Sequence, residues 1–138
     1  MDTSSIELPG SQIDSIVQEH GSLRIRFSRA YIVKSMTGSA ELTRWWQSAD
    51  LILEGAVAAA ELPRGPLVCA GGDLDENLYT YRDMLPLPLE SRGRIRCELS
   101  FRDTDARLVA KAERVRLALD AAPRYIEHVR PQKKEIAD

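Results

Sequence analysis

Apolar and polar residues alternate most clearly between residues 92 and 119. In the first half of this stretch, the apolar positions are Ile95, Cys97, Leu99 and Phe101. Side chains on a strand point alternately to its two faces, so this spacing predicts a strand with one buried and one solvated face. Residues 103–105 supply a turn, because Asp and Thr side chains bond nearby backbone groups. Alternation then resumes through Val115, and we predict an antiparallel hairpin.

A helix is the rival interpretation of residues 108–122. Apolar positions there also fit helical spacing, and the Ala, Arg, Lys, Glu and Leu content favours a helix. Two observations favour the strand. Leu108 stands where a capping box after Asp105 needs Glu or Gln, and the preceding strand needs an antiparallel neighbour that a short turn provides. The alternation changes parity along this segment, which predicts a bulge near Glu113.

Shorter alternating or apolar segments predict the other strands. They cover residues 13–19, 23–33 with a bend at Arg29 and Ala30, 51–62 with a break at Gly55, 67–69 and 78–85. Gly71-Gly72 is predicted to open a loop. Pro86 and Pro88 limit the following segment to a sheet edge, because proline cannot donate to a ladder.

Many short strands separated by turns predict one mainly β domain with little helix. The expected architecture is a single-domain antiparallel β-sandwich or flattened barrel. We place this domain at residues 11–130, after a flexible lead-in at 1–10 and before a flexible charged tail at 131–138.

Composition narrows the function classes. The 138 residues fit one domain, and the net charge of −2 with interspersed signs argues against nucleic acid or an anionic membrane as partner. No apolar run approaches the ~20 residues that a membrane helix needs, and the first ten residues lack a signal-peptide pattern. We therefore expect a cytoplasmic protein in which Cys69 and Cys97 are reduced thiols.

The sequence contains no recognisable catalytic constellation. His20 lies in a predicted turn and His128 near the end of the chain, and neither forms a motif with a cysteine or serine. The segment from Asp73 begins like a calcium loop, but Leu78 and Met84 stand where glycine and the bidentate Glu belong. We assign no catalytic residue, no metal ligand and no cofactor.

Residues 71–83 are the richest candidate binding segment, since binding residues concentrate on loops held by a rigid scaffold. The candidate residues are Asp73, Asp75, Glu76, Tyr79, Tyr81 and Arg82. The acids favour a cationic ligand, a basic partner surface or a hard metal ion, and the two tyrosines share a strand face. The favoured function is a non-catalytic binding or interaction module with a protein or small-molecule partner. The alternative is a small metal-dependent or hydrolase-like enzyme that uses this segment, with His128 as a further candidate.

Trp45 and Trp46 are candidate interface residues. Adjacent residues on an extended segment point to opposite faces, so both indoles cannot enter one core. An unpartnered tryptophan and an open sheet edge favour a homodimer.

Four stretches together resemble a small group of uncharacterised bacterial proteins. They are Arg44-Trp45-Trp46-Gln47, Cys69-Ala70-Gly71-Gly72-Asp73, Leu85-Pro86-Leu87-Pro88-Leu89 and Pro123-Arg124-Tyr125-Ile126-Glu127. The resemblance spans residues 13–131. It implies a β-rich fold and bacterial origin, and it assigns no activity to any residue.

Overall fold

The computed structural model describes residues 3–36, 38 and 41–129. All regular structure within these residues is strand. The strands are β1 (Thr3–Glu19), β2 (Ser22–Ser35), β3 (Leu42–Glu54), β4 (Val57–Ala58), β5 (Leu67–Glu76), β6 (Tyr79–Arg82), β7 (Met84–Leu87), β8 (Glu90–Phe101) and β9 (Arg107–Val129).

Six of these strands close into an antiparallel barrel. The order is β1-β2-β3-β9-β8-β5, and β5 returns to β1 through the pairs Gln12–Val68 and Ile13–Leu67. Inward positions on every barrel strand are apolar, as closure of a small barrel requires. Fully buried examples are Ile13, Ile25, Phe27, Leu51, Leu53, Leu74, Leu99 and Leu108. The predicted mainly β domain with a flattened barrel is confirmed.

The predicted hairpin is formed by β8 and β9, so the helical alternative for residues 108–122 is wrong. Arg92 lies opposite Arg114 and Ile95 opposite Ala112, which leaves two residues of β8 facing Glu113. The predicted irregularity near Glu113 is therefore present, and its extra residue belongs to β8. Pro86 lies in β7, at the end of the strand order beside β1, as its edge prediction required.

The start of the chain differs from the sequence interpretation. β1 begins at Thr3, where we expected a flexible lead-in as far as residue 10, and Ile6 and Leu8 are fully buried. Pro9-Gly10 suggested a terminus because both residues usually break a strand. In the structure they form a bulge inside it. The predicted tail at 131–138 lies outside the described residues.

Four strands continue beyond the barrel as a smaller sheet, which we call the sheet extension. It consists of residues 3–7, 31–35, 42–46 and 124–129, with β7 added outside β1. Residues in one cross-strand row share a face. One row contains Ile32, Trp45 and Tyr125, and the next contains Tyr31, Trp46 and Arg124.

A line of bulges, the bend line, separates the sheet extension from the barrel. It consists of residues 8–11 of β1, 28–29 of β2 and 121–123 of β9, which are skipped in the β1–β2, β2–β3 and β3–β9 ladders respectively. Bulges bend a sheet and redirect the side chains around them. We therefore expect the sheet to bend where the barrel passes into the sheet extension.

Two buried polar side chains hold the bend line. The Ser11 hydroxyl donates to the Glu7 carbonyl at 2.6 Å and accepts from the Tyr31 amide at 3.0 Å. The Gln47 amide nitrogen donates to the Ala121 carbonyl at 2.7 Å. Within the described part of the chain, Ser11 and Gln47 are the buried polar residues. Buried polar groups need hydrogen-bond partners. Ser11 and Gln47 are these partners for backbone groups where the strand ladders are interrupted.

Candidate functional site

The segment that we predicted as a binding loop is a hairpin. β5 runs through Gly71-Gly72 as far as Glu76, and β6 returns after a turn at Asn77-Leu78. The predicted loop at Gly71-Gly72 is therefore wrong. Gly72 is needed for close packing, since a Cβ there would come within 2.4 Å of the Glu98 carbonyl oxygen.

The acids of this hairpin are already paired. Arg82 donates to both carboxylate oxygens of Asp73, at 3.0 and 3.2 Å, and this bond lowers the pKa of Asp73. Asp75 accepts from Thr80 at 2.8 Å. Each pair joins residues on opposite strands, so these carboxylates stabilise the hairpin.

The third acid, Glu76, is hydrogen-bonded to one of two stacked tyrosines. Glu76 accepts from the Tyr81 hydroxyl at 3.2 Å, and desolvation together with this bond raises the pKa of Tyr81. Tyr79 and Tyr81 share a face as predicted, with parallel rings whose centroids are 6.2 Å apart. In the residues that the structure describes, no group of three His, Cys, Asp or Glu side chains is arranged to hold a metal ion.

The cysteines lie in the barrel core. Both are free and buried, and desolvation raises the pKa of Cys69 to about 11 and that of Cys97 to about 12. A nucleophilic cysteine must be a thiolate that reagents can reach. Neither thiol meets this requirement near neutral pH.

Trp45 and Trp46 lie side by side on β3 in the sheet extension and point to opposite faces, as predicted. Trp45 packs against the core cluster at the mouth of the barrel. Trp46 lies on the outer face, and both side chains are half-buried. Each is contacted mainly by residues from the strands on either side of β3.

The inner face carries an aromatic and cationic group around Trp45. The Tyr125 ring meets Trp45 edge to face at 5.3 Å, and the Lys34 ammonium lies 4.6 Å from the indole centroid. The Tyr125 hydroxyl is hydrogen-bonded to Nδ1 of His128, whose Nε2 lies 3.9 Å from a Glu41 oxygen. The structure thus brings His128 to the sheet extension, far from the β5–β6 hairpin.

The outer face carries the group that we call the outer cluster, which consists of Arg29, Trp46 and Arg124. The guanidinium carbons of Arg29 and Arg124 lie 4.2 and 5.6 Å from the Trp46 ring centroid. Arg29 is part of the β2 bulge, and Arg124 directly follows the β9 bulge. The bend line therefore directs one cation from each neighbouring strand to the same indole.

The arginines around Trp46 differ in whether they have acidic partners. Arg44 is neutralised by Glu7 and Glu127, each at 3.1 Å. Among the described residues, no carboxylate lies within ion-pair distance of Arg29 or Arg124. The outer cluster thus presents two exposed guanidinium groups without acidic partners.

Two open concavities meet at Trp46. One of about 430 Å³ includes Arg29, Tyr31 and Ile126 in its lining. The other, of about 630 Å³, is lined by Ser48, Arg124 and the residues of the β9 bulge. Trp46 lines both concavities, so the indole lies where they meet.

Sequence reasoning found the tryptophans and missed the arginines beside them. The parity break at Arg29 and Ala30 was a local signal, because a bulge often redirects a side chain. Arg124 gave no such signal. Its proximity to Trp46 depends on the pairing of β3 with β9, which are far apart in the chain.

Comparison of the chain with protein-family models, curated proteins and solved structures gives no match. In the residues described, no helix has the length and apolar character to cross a bilayer.

Proposed function

We propose that the protein is a non-catalytic binding module whose recognition surface is the outer face of the sheet extension, centred on Trp46. The observation that carries the proposal is a half-buried indole contacted by guanidinium groups from both neighbouring strands, neither of which has an acidic partner among the described residues. Trp, Tyr and Arg dominate the energetics of protein interfaces. The outer face concentrates all three types, with Tyr31 next to Trp46 in the same row.

The alternative, an enzyme that uses residues 73–83, gains no support from a specific observation. Its carboxylates are engaged across the β5–β6 hairpin, and the two thiols stay protonated in the core. The proposal keeps the module in the cytoplasm of a bacterium. Free thiols in an otherwise apolar core are compatible with that reducing compartment.

Photo-crosslinking in the organism that encodes the chain tests this function. We would place p-benzoylphenylalanine at Ile126, which borders Trp46 and is 39% exposed, and at Val17, which is 46% exposed at the far end of β1. We expect a discrete crosslinked product from position 126 and none from position 17. The absence of a product at 126, or equal products from both positions, would refute the proposed surface.

A further inference from the structure

We infer that the outer cluster binds an acidic segment of a partner polypeptide, with carboxylates at Arg29 and Arg124 and an apolar side chain against Trp46. The inference rests on the proposed function of the same surface and names the chemistry of its ligand. It is argued from charge, spacing and shape.

The charge of the site favours carboxylates. Guanidinium groups bind carboxylates through paired, charge-assisted hydrogen bonds. Arg44 shows this preference within the chain, since it engages one carboxylate on the neighbouring β9 and one on β1, two strands away. Arg29 and Arg124 have the same chemistry and the same neighbourhood, but no acid of the described chain satisfies them.

The spacing of the two arginines fits an extended chain. Since their guanidinium carbons lie 4.2 and 5.6 Å from one ring centroid, they are less than 10 Å apart. An extended chain rises about 3.3 Å per residue, so acids two residues apart are separated by about 7 Å on one face. A Glu-x-Glu pattern therefore matches the two cations.

The surroundings disfavour a nucleic acid. Glu7 and Glu127 line the same concavity and neutralise Arg44, so few free cations remain there for a ligand with a phosphate on every nucleotide. A polypeptide carries acids only where its sequence has them, and its apolar residues can contact Trp46 and the exposed Ile126. The two concavities are open and share Trp46, an arrangement that suits an extended chain better than a compact small molecule.

A second copy of this chain is a less suitable occupant. Beyond Leu117, β9 pairs with β3 alone within the described residues, so its other edge is open. Pro123 and the bulges at 121–123 and near Ile126 interrupt that edge, and such devices protect an edge from pairing. The ligand therefore lies across the outer face.

The test uses the full chain and fluorescein-labelled peptides in which Glu-Leu-Glu is flanked by Gly and Ser. A matched peptide carries Gln-Leu-Gln, and inorganic phosphate and a single-stranded oligonucleotide serve as other anions. By fluorescence anisotropy we expect the acidic peptide to bind at least tenfold more tightly than the Gln peptide. We also expect it to compete better than phosphate or the oligonucleotide at physiological salt.

Variants separate the site from general electrostatics. Arg29→Gln and Arg124→Gln should each weaken peptide binding at least about tenfold, since each variant removes charge-assisted hydrogen bonds to a carboxylate. Arg24→Gln is the control, because Arg24 is exposed on the same strand as Arg29 and lies in the barrel. It should change binding less than twofold.

Several results would overturn the inference. These are no peptide binding up to about 1 mM, tighter binding of the oligonucleotide, equal loss in all three arginine variants, or self-association that Arg124→Gln abolishes. Crosslinking at Ile126 without peptide binding would refute the ligand chemistry and leave the binding module intact. Loss of both would refute the proposed function as well.

Discussion

The Ser11 hydroxyl provides the sharpest test of how the bend line is held. It is fully buried, donates to the Glu7 carbonyl at 2.6 Å and accepts from the Tyr31 amide at 3.0 Å. Ser11→Ala removes both bonds and leaves two backbone groups without that partner. An unsatisfied buried group costs about 1–3 kcal/mol, and because both hydrogen bonds are only partly buried we expect each loss in the lower part of that range, about 2–4 kcal/mol in total in the free energy of unfolding. That is a large share of the roughly 5–15 kcal/mol of a typical domain.

Urea unfolding followed by far-ultraviolet circular dichroism measures this loss. Ser28→Ala is the matched control, because Ser28 lies in the same bend line but is exposed and makes one long bond, at 3.4 Å, to the Gln12 carbonyl. We expect the control to change stability by less than about 0.5 kcal/mol. If Ser11→Ala costs no more than Ser28→Ala, the buried hydroxyl does not hold the strands together.

Three further predictions concern the core and the tryptophans. Ile6→Ala should destabilise the protein by about 2–5 kcal/mol in urea unfolding, because Ile6 is fully buried. Val17→Ala, at an exposed position on the same strand, should cost under about 1 kcal/mol. Equal small losses would indicate that the start of the chain does not pack against the core. Iodide should quench the protein with only Trp46 more strongly than the protein with only Trp45, because two cations flank Trp46; equal quenching contradicts this. Cys97 should resist thiol reagents at pH 8 until urea is added, and rapid labelling of the folded protein would contradict its burial. Because burial raises its pKa from 9.0 to about 12, the contribution of this thiol to stability should be constant below about pH 9 and fall above it.

Local patterns were enough to predict the elements that depend on neighbouring residues. The period of two at Ile95 to Phe101 and the turn after it specify the β8–β9 hairpin, because both signals lie within one short segment. The opposite faces of Trp45 and Trp46 follow from strand geometry alone. The edge position of Pro86 follows from its missing amide hydrogen.

The register of the β5–β6 pairing could not be predicted, and that register decides whether the candidate acids are paired or free. Asp73 faces Arg82 and Asp75 faces Thr80 across the β5–β6 hairpin, so the acids are paired. A slip of one residue would move every side chain to the other face. The sequence shows an acidic segment in either case, and it therefore suggested a free binding loop.

The pairing of strands that are distant in sequence also could not be predicted. The barrel closes where Ile13 meets Leu67, and the outer cluster joins Arg29, Trp46 and Arg124. These residues come from separate strands, and no local period specifies which strands become neighbours. At the start of the chain, Pro9-Gly10 produced the opposite error, because a bulge inside a strand has the same composition as the end of one.

The bend line carries a cost in folding free energy. Regular strands would satisfy their backbone groups with each other, whereas this sheet keeps Ser11 and Gln47 buried to do so. It also holds Ala121 at a φ of 61°, a left-handed conformation that costs a residue with a Cβ about 1–2 kcal/mol. Strain of this kind concentrates where a protein positions functional groups. Here the same bulges bring Arg29 and Arg124 to one indole, so the cost falls at the binding surface that we propose.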